Sequence, residues 1–379
     1  MSTVFLIFVS VSPIISEVAR AVFILAGLGI LVCVTRLSSM KDMLFWMLVV
    51  SMTPWTIIDL GESLDRGFVT FSFLLMFASI LVGYLYSKVY STEEFLIIFE
   101  RSVFYLCAIA LPLFVLVCVY PEIVGYFFRY KYGEFTNRSA VFLNVLGESD
   151  IIFRNAGFAS EPGYFQFFLN LALFITLRRS GRINLRSGLY VAAIVSTQST
   201  MGLAIMALVI LMFTRGWARI AVIGCAVGAF GTISNLAEVH YQGKIENEYA
   251  LSERMDPFVN AANVILERPL GIGAYEYTSI YENLNIGSWD SYTQVGLRYG
   301  TVTLFIVALL IGRIAKHSLG LAMIIFATFL TSPIWYLPVV SCFYFLFSRI
   351  EPKARVHGIS ARATPIPEFQ NGWWVGRRG

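Results

Sequence analysis

Residues 188–213 read GLYVAAIVSTQSTMGLAIMALVILMF. As a single helix this apolar run is long enough to cross a bilayer once. It is interrupted in the middle by Ser196-Thr197-Gln198-Ser199-Thr200. Basic clusters flank both ends, with Arg178, Arg179, Arg182 and Arg186 before it and Arg215 and Arg219 after it. One crossing places those clusters on opposite faces of a membrane. Two short crossings place both in the cytoplasm, as the positive-inside tendency prefers. The sequence therefore predicts two helices joined by a hydroxyl-rich turn on the outer side.

The rest of the chain has the same character. Its residues are 57% hydrophobic and 14% charged, with a net charge of +4 that carries no nucleic-acid signal. Apolar runs predict further spans at roughly 14–35, 43–59, 67–87, 102–120, 162–177, 217–236, 291–312, 317–331 and 333–349. The short run from Val4 to Val11 is an interfacial or half-spanning lead-in. All five cysteines (Cys33, Cys107, Cys118, Cys225 and Cys342) lie inside apolar runs, which argues against disulfides and metal-ligand pairs. No cleavable signal peptide is evident.

The expected fold is an all-α polytopic membrane protein of about 11–12 transmembrane helices. Two long loops, roughly 121–161 and 237–290, face outward, since the inner segments hold most of the 28 Lys and Arg residues. Residues 1–349 form a single transmembrane domain, and residues 350–379 a basic cytoplasmic tail without fixed structure.

The first loop ends in Arg154-Asn155-Ala156-Gly157-Phe158-Ala159-Ser160-Glu161-Pro162. Pro162 suits the first position of a helix, and Glu161 then falls at the N-cap, beside unpaired N–H groups. Arg154 lies seven residues earlier and shares a face with Glu161 if the segment is helical or compact. An ionisable pair at the mouth of a span is a site hypothesis, with a capped helix and a surface arginine as the plainer reading.

In the second loop, Asp256 can cap a helix that Pro257 opens. Phe258, Ala261, Ala262, Ile265 and Leu266 form its apolar face, and Pro269 and Gly271 end it. This describes an interfacial amphipathic helix lying in the outer leaflet. Arg254 precedes it, where a guanidinium beside free N–H groups can trap a phosphate; pairing with Glu253 or Asp256 is the alternative. The loop is mostly acidic, its basic residues being Lys244, Arg254 and Arg268. Tyr275, Tyr277, Tyr281 and Trp289 offer flat faces for sugars, or an aromatic belt at the interface.

Arg154…Gly157…Glu161-Pro162, the broken pair around Ser196–Gly202, Arg254 with its helix, Glu267-Arg268-Pro269-Leu270-Gly271-Ile272-Gly273 and Trp289-Asp290-Ser291-Tyr292-Thr293-Gln294 before Gly300 follow one another in a distinctive order. Over roughly residues 150–300 that order resembles the O-antigen polymerase and ligase superfamily of bacterial envelope glycosyltransferases. The resemblance implies a GT-C-like enzyme of the bacterial inner membrane with a periplasmic active site. Its donor and acceptor would be oligosaccharides linked to undecaprenyl pyrophosphate. Membrane lipid and a chain-length regulator protein are the other implied partners. Ligases of this superfamily carry a His-Asn pair where this chain has Trp289-Asp290, so the resemblance points to the polymerase branch. Transfer to lipid A core by a ligase, and a flippase or transporter of lipid-linked oligosaccharide, are the alternatives.

Such chemistry needs positive charge where phosphate charge develops and a base for the acceptor hydroxyl. Arg154 and Arg254 are the candidates for the first role, with Arg298, placed inside a span and so expected to face a cavity or a carboxylate, third. Glu161 is the first candidate for the base or for an orienting carboxylate, and Asp290 the second. Arg268, Tyr275 and Thr200 complete the expected substrate-binding set. No His/Asp/Glu cluster has metal-ligand spacing, so the expected reaction uses no metal and no other cofactor.

Overall fold

The computed structural model describes residues 17–34, 42–66, 71–132, 135–140, 142–147, 153–216, 219, 249–273, 276–277 and 290–347, with positions 3, 7 and 11. The chain is mostly helical. The described helices are α1 (Glu17–Val34), α2 (Met43–Arg66), α3 (Phe71–Ser87), α4 (Thr92–Val119), α5 (Pro162–Ser180), α6 (Leu185–Ser196), α7 (Thr200–Phe213), α8 (Tyr249–Glu267), α9 (Ser291–His317), α10 (Leu319–Phe329) and α11 (Pro338–Leu346). Among the described residues two helices, α4 and α9, are long and apolar enough to cross a membrane; other apolar helices are shorter. Most of the span expected near 217–236, the side chain of Arg254, and residues Tyr275, Tyr281, Trp289 and His240 lie outside the described residues, as does the tail.

α5 is the central element. Pro162 opens it and Gly181, in a left-handed conformation, closes it after Arg178 and Arg179. Its residues are apolar nearly all round, the pattern of a helix enclosed on every side. Phe165, Phe167, Phe168, Leu169 and Leu173 are fully buried. α4, α6, α7 and α10 pack around it.

The break at residues 197–199 is present: α6 and α7 are separate helices of 12 and 14 residues. Gln198 takes a positive φ of 51° in the turn, and Ser199 caps α7 by accepting from the Gly202 amide at 3.2 Å. At 1.5 Å per residue each helix is only about 20 Å long, shorter than a bilayer's hydrocarbon core of about 30 Å.

Several elements differ from the sequence expectation. The first loop is not irregular: after a 3-10 turn at Pro121–Tyr126 it forms a four-stranded antiparallel meander, β1 (Phe128–Tyr132), β2 (Phe135–Ala140), β3 (Leu143–Gly147) and β4 (Phe153–Gly157). The register pairs Phe128 with Ser139, Asn137 with Leu146 and Asn144 with Gly157. Phe128, Tyr130 and Tyr132 alternate with Arg129 and Lys131, which is the period of a strand. α4 starts ten residues before the span expected there, fixed by a capping box between Ser91 and Glu94.

α8 begins at Tyr249, so Asp256 and Pro257 do not open it. The apolar spacing runs back through Met255 to Leu251, and this periodicity outweighs the Asp-Pro punctuation. The last two expected spans are short helices, α10 of 11 residues and α11 of 9. Between them the irregular stretch 330–337 is largely buried, with Ile334 and Trp335 fully so. Its polar groups are satisfied locally: Trp335 Nε1 donates to Gln294 Oε1 at 2.8 Å, and Ser291 Oγ donates to Ser332 O at 2.6 Å.

Candidate functional site

Two junctions bring the sequence motifs together. The first lies where β4 meets the turn between α6 and α7. Arg154 is half-buried, and its Nε donates to the Thr197 carbonyl at 3.4 Å. Asn155 is fully buried; its amide nitrogen donates to Ser196 Oγ at 2.8 Å, while its Oδ1 accepts from the Gly157 amide at 2.8 Å. That second bond closes an Asx turn that holds Gly157 at φ 55°, where the Phe165 ring lies so close that a Cβ would stand 2.5 Å from it. The chain then turns into α5. Arg154 and Glu161 are therefore joined by a strand and a tight turn, not by a helix.

Glu161 occupies the N-cap of α5, as its sequence position implies, yet its side chain makes no capping hydrogen bond. Its carbonyl does the capping instead, accepting from the Tyr164 and Phe165 amides at 3.1 and 3.2 Å. Thr200, the first residue of α7, is exposed beside the same turn.

The second junction is a break in α9. Gly300 takes φ 84° and ψ 177°, which interrupts the helix. In a continuous helix the Thr301 amide would donate to the Leu297 carbonyl. Here Thr301 N donates to Pro269 O at 2.8 Å, and Leu297 O accepts from Ile272 N at 2.8 Å. The segment 269–272 is thus spliced into the hydrogen-bond ladder of α9. Two glycines permit it: a Cβ on Gly300 would stand 2.4 Å from the Leu270 carbonyl carbon, and one on Gly271 2.7 Å from the Gly300 nitrogen. Trp55 of α2 ties the segment down from the other side, its Nε1 donating to Leu270 O at 2.7 Å.

Arg298 sits at this break. Its guanidinium lies 4.2 Å from the centre of the Tyr277 ring, and Nη1 is 3.3 Å from Met76 Sδ. The face of the Tyr277 ring is thus one of the neighbours of this cation. Arg268 is exposed and forms an ion pair with Glu276.

Arg254 is on α8, several residues inside the helix. The reading that placed its guanidinium ahead of a helix N-terminus is therefore corrected: the N–H groups next to it are within the helix and already bonded along it. The apolar face expected for α8 is divided between the protein and its surface. Ala261 is buried, whereas Phe258 and Leu266 are exposed.

Asp290 caps α9, its carboxylate accepting from the Thr293 amide at 2.8 Å and from the Thr293 hydroxyl. Burial raises its carboxyl above the ordinary carboxylate value, although the Thr293 bonds pull the other way. Asp290→Asn retains an acceptor for the cap, so thermal unfolding should shift little, whereas Asp290→Ala should cost about 1 kcal/mol. If Asp290 is the base, the Asn variant should lose turnover while keeping its melting temperature. An Asn variant with full turnover leaves it a cap only.

Sequence reasoning missed three groups. Asn155 stood inside the quoted motif without a role. Trp55 carried no signal at all. Glu100 lies inside an apolar helix, 1% exposed. It accepts from Thr176 Oγ1 and Tyr190 OH, each at 3.1 Å, and pairs with Arg186 at 3.5 Å and Arg179 at 3.8 Å. Asp42 and Arg313 make a comparable bidentate pair at 2.6 and 3.1 Å. Among the described residues no group of His, Cys, Asp and Glu could hold a metal ion.

Comparison with protein-family models, with curated proteins and with solved structures finds no match for this chain.

Proposed function

We propose that this chain is a multi-pass glycosyltransferase of the bacterial inner membrane. On this reading it polymerises undecaprenyl-pyrophosphate-linked oligosaccharide repeat units at the periplasmic face. The supporting observation is the pairing of distant motifs. Arg154 and Asn155 bond to the Ser196–Thr197 turn some 40 residues away, at sequence separations of 43 and 41. The Pro269–Ile272 segment bonds into α9 beside Arg298. These are the same stretches, in the same order, that carry the sequence resemblance.

The membrane reading draws on outward apolar surface. Tyr105, Val115 and Val119 on α4 are each more than half exposed, as are Val302 and Phe305 on α9. Contiguous apolar faces of this kind need a lipid or protein partner. The interruptions at Gly300 and in 330–337 fit the rule that irregular backbone at membrane depth is tolerated where protein encloses it.

In the proposed reaction, a hydroxyl oxygen of the acceptor sugar attacks the anomeric carbon of the donor glycan. The bond from that carbon to the diphosphate oxygen breaks, and the lipid diphosphate leaves with the bonding pair. The hydroxyl proton passes to a carboxylate, with Glu161 the first candidate and Asp290 the second. Guanidinium groups, Arg154 foremost with Arg254 and Arg298, stabilise the charge that gathers on the diphosphate. Arg268, Tyr275 and Thr200 remain candidates for holding the glycan.

Arg154→Ala and Arg254→Ala should each leave the protein folded and shorten the long-chain polysaccharide ladder on a gel. Arg254→Lys should also lose activity, because a point charge does not replace a fork. Purified protein given a defined lipid-linked repeat unit should make polymer. Unaltered ladders in both alanine variants would remove the two arginines from the mechanism, and ligation without polymer would favour the ligase alternative.

A further inference from the structure

Far from the candidate site, the arginine-rich end of the helix bundle has a surface that the proposed reaction does not use. The ends of α5, α7 and α9 and the starts of α6 and α10 meet there. Arg178 Nη1 donates to Ser318 Oγ at 3.0 Å, which joins α5 to the α9–α10 corner. Gly320 of α10 lies so close to the Phe174 ring of α5 and the Met212 methyl of α7 that a Cβ would clash with both. Arg182, Arg186, Arg215, Arg219 and Lys316 are exposed at this end. The acidic side chains around them are engaged. Asp42 pairs with Arg313, Glu94 closes its capping box, and Glu93 acts on Arg178. Arg179 and Arg186 share the single carboxylate of Glu100, so that cluster keeps a positive charge.

The corner between α5 and α6 adds exposed apolar groups to this charge. Residues 178–188 read RRSGRINLRSG, with no acidic residue. The corner has a defined shape: Gly181 closes α5, Ser180 Oγ donates to Arg182 O at 2.6 Å, and Asn184 with Ser187 forms the capping box of α6. A hydrophobic residue just before such a cap commonly packs on the fourth residue of the helix. Here the fourth residue is Gly188, which has no side chain and open space where a Cβ would stand. Ile183 therefore has nothing to fold onto. It is 61% exposed, and Leu185 is 92% exposed. Arg182 and Arg186 flank the two. This combination suits the boundary of a leaflet. Apolar side chains enter the acyl region there, while guanidinium groups stay level with the phosphates.

Resting on the membrane reading above and not on the polymerase reaction, we propose that the α5–α6 corner is a docking surface for anionic phospholipid of the inner leaflet. Ile183 and Leu185 insert among the acyl chains, and Arg182, with Arg179 and Arg186, receives the headgroup phosphate. The surplus of positive charge selects an anionic lipid over a zwitterionic one. Because Arg179 and Arg186 also hold Glu100, lipid bound here bears on the packing of α4, α5 and α6.

The test uses the full chain in phosphatidylcholine vesicles. A trace of phosphatidylglycerol carries a diazirine at the glycerol end of its acyl chain, and phosphatidylcholine with the same chain is the comparison. After illumination, mass spectrometry reads the label on residues 178–188. Phosphatidylglycerol should label them roughly three- to ten-fold more than phosphatidylcholine. Arg182→Gln should cut that preference about two- to five-fold, whereas Arg182→Lys should keep it, since the leaflet acts on charge. Ile183→Ser with Leu185→Ser alters exposed side chains, so the chain should melt as the parent does while labelling by both lipids falls about fivefold. Equal labelling by the two lipids is incidental contact and overturns the proposal. So does labelling that neither Arg182→Gln nor the serine variant changes. Displacement of the label by glycerol phosphate would make this a site for a soluble anion and overturn it too. A chain that alkaline carbonate washes from the vesicles loses the membrane reading and this surface together. A chain that stays embedded without the preference loses this surface alone. One that shows the preference but makes no polymer keeps the surface and loses the polymerase function.

Discussion

Replacing Gly300 by alanine is expected to destabilise the protein by about 3–6 kcal/mol, enough to cut its yield and lower its melting temperature. Two costs add. The conformation at φ 84° and ψ 177° is essentially restricted to glycine, and forcing another residue into it costs about 1–3 kcal/mol. The new Cβ would also lie 2.4 Å from the Leu270 carbonyl carbon and 2.5 Å from Pro269 O. Both are backbone atoms and cannot rotate aside. If the segment withdraws and residue 300 turns helical, Thr301 N can bond Leu297 O, but Ile272 N and Pro269 O lose the partners they have in α9, at about 1–3 kcal/mol for each buried group left unmade. Gly312, in the same helix, is the control: a Cβ there meets nothing within 4 Å. Gly312→Ala should be neutral or stabilising by up to about 1 kcal/mol, since alanine favours a helix over glycine. If the two alanine variants melt together, the spliced break is wrong.

This break also shows where sequence reading stops. Hydropathy and punctuation locate what a helix does by itself. Pro162 and the arginines at 178 and 179 bound α5, and Ser196–Thr200 divides α6 from α7, because caps and polar interruptions act within one turn. The glycine at 300 is visible in the sequence, but nothing local says that its helix opens there or which segment enters. That partner lies about 30 residues upstream and recognises backbone, which has no residue code. The strands β1–β4 were hidden for another reason: a polar loop of that length is read as loop unless its period-2 alternation is weighed, and only β1 alternates cleanly. Glu100 is the extreme case. Its partners Thr176 and Tyr190 are 76 and 90 positions away, so the sequence shows only a charge near the start of an apolar helix. Of the candidate site, the motifs carry the residue types of Arg154, Glu161 and Arg298, whereas the bonds of Asn155 and Trp55 and the Tyr277 ring beside Arg298 join separate segments and have no local signal.

Removing both Arg179 and Arg186 should cost far more than removing the carboxylate they share. Glu100 has a side chain 2% exposed, whereas the two arginines are 46% and 48% exposed. Glu100→Gln leaves oxygen for Thr176 and Tyr190 and leaves two guanidinium groups that reach water, so the expected loss is about 1 kcal/mol. Arg179→Ala with Arg186→Ala instead strands a buried carboxylate with two hydroxyls and no cation; breaking a buried pair in this direction costs about 3–5 kcal/mol. Each single arginine variant should fall between, because one guanidinium remains. Adding Glu100→Gln to the double arginine variant should then restore most of the loss, since the group being rescued is the uncompensated charge. Thermal unfolding of the purified variants measures all five. A double arginine variant no less stable than Glu100→Gln, or no recovery in the triple variant, would mean that Glu100 does not depend on this pair. The same buried carboxylate ties α4 to α5 through Thr176 and to α6 through Tyr190 and Arg186, and α5 and α6 lead directly to the β4 junction. Loosening it should therefore also weaken the hold on Arg154, so that the proposed polymerase activity should fall in step with stability across the series.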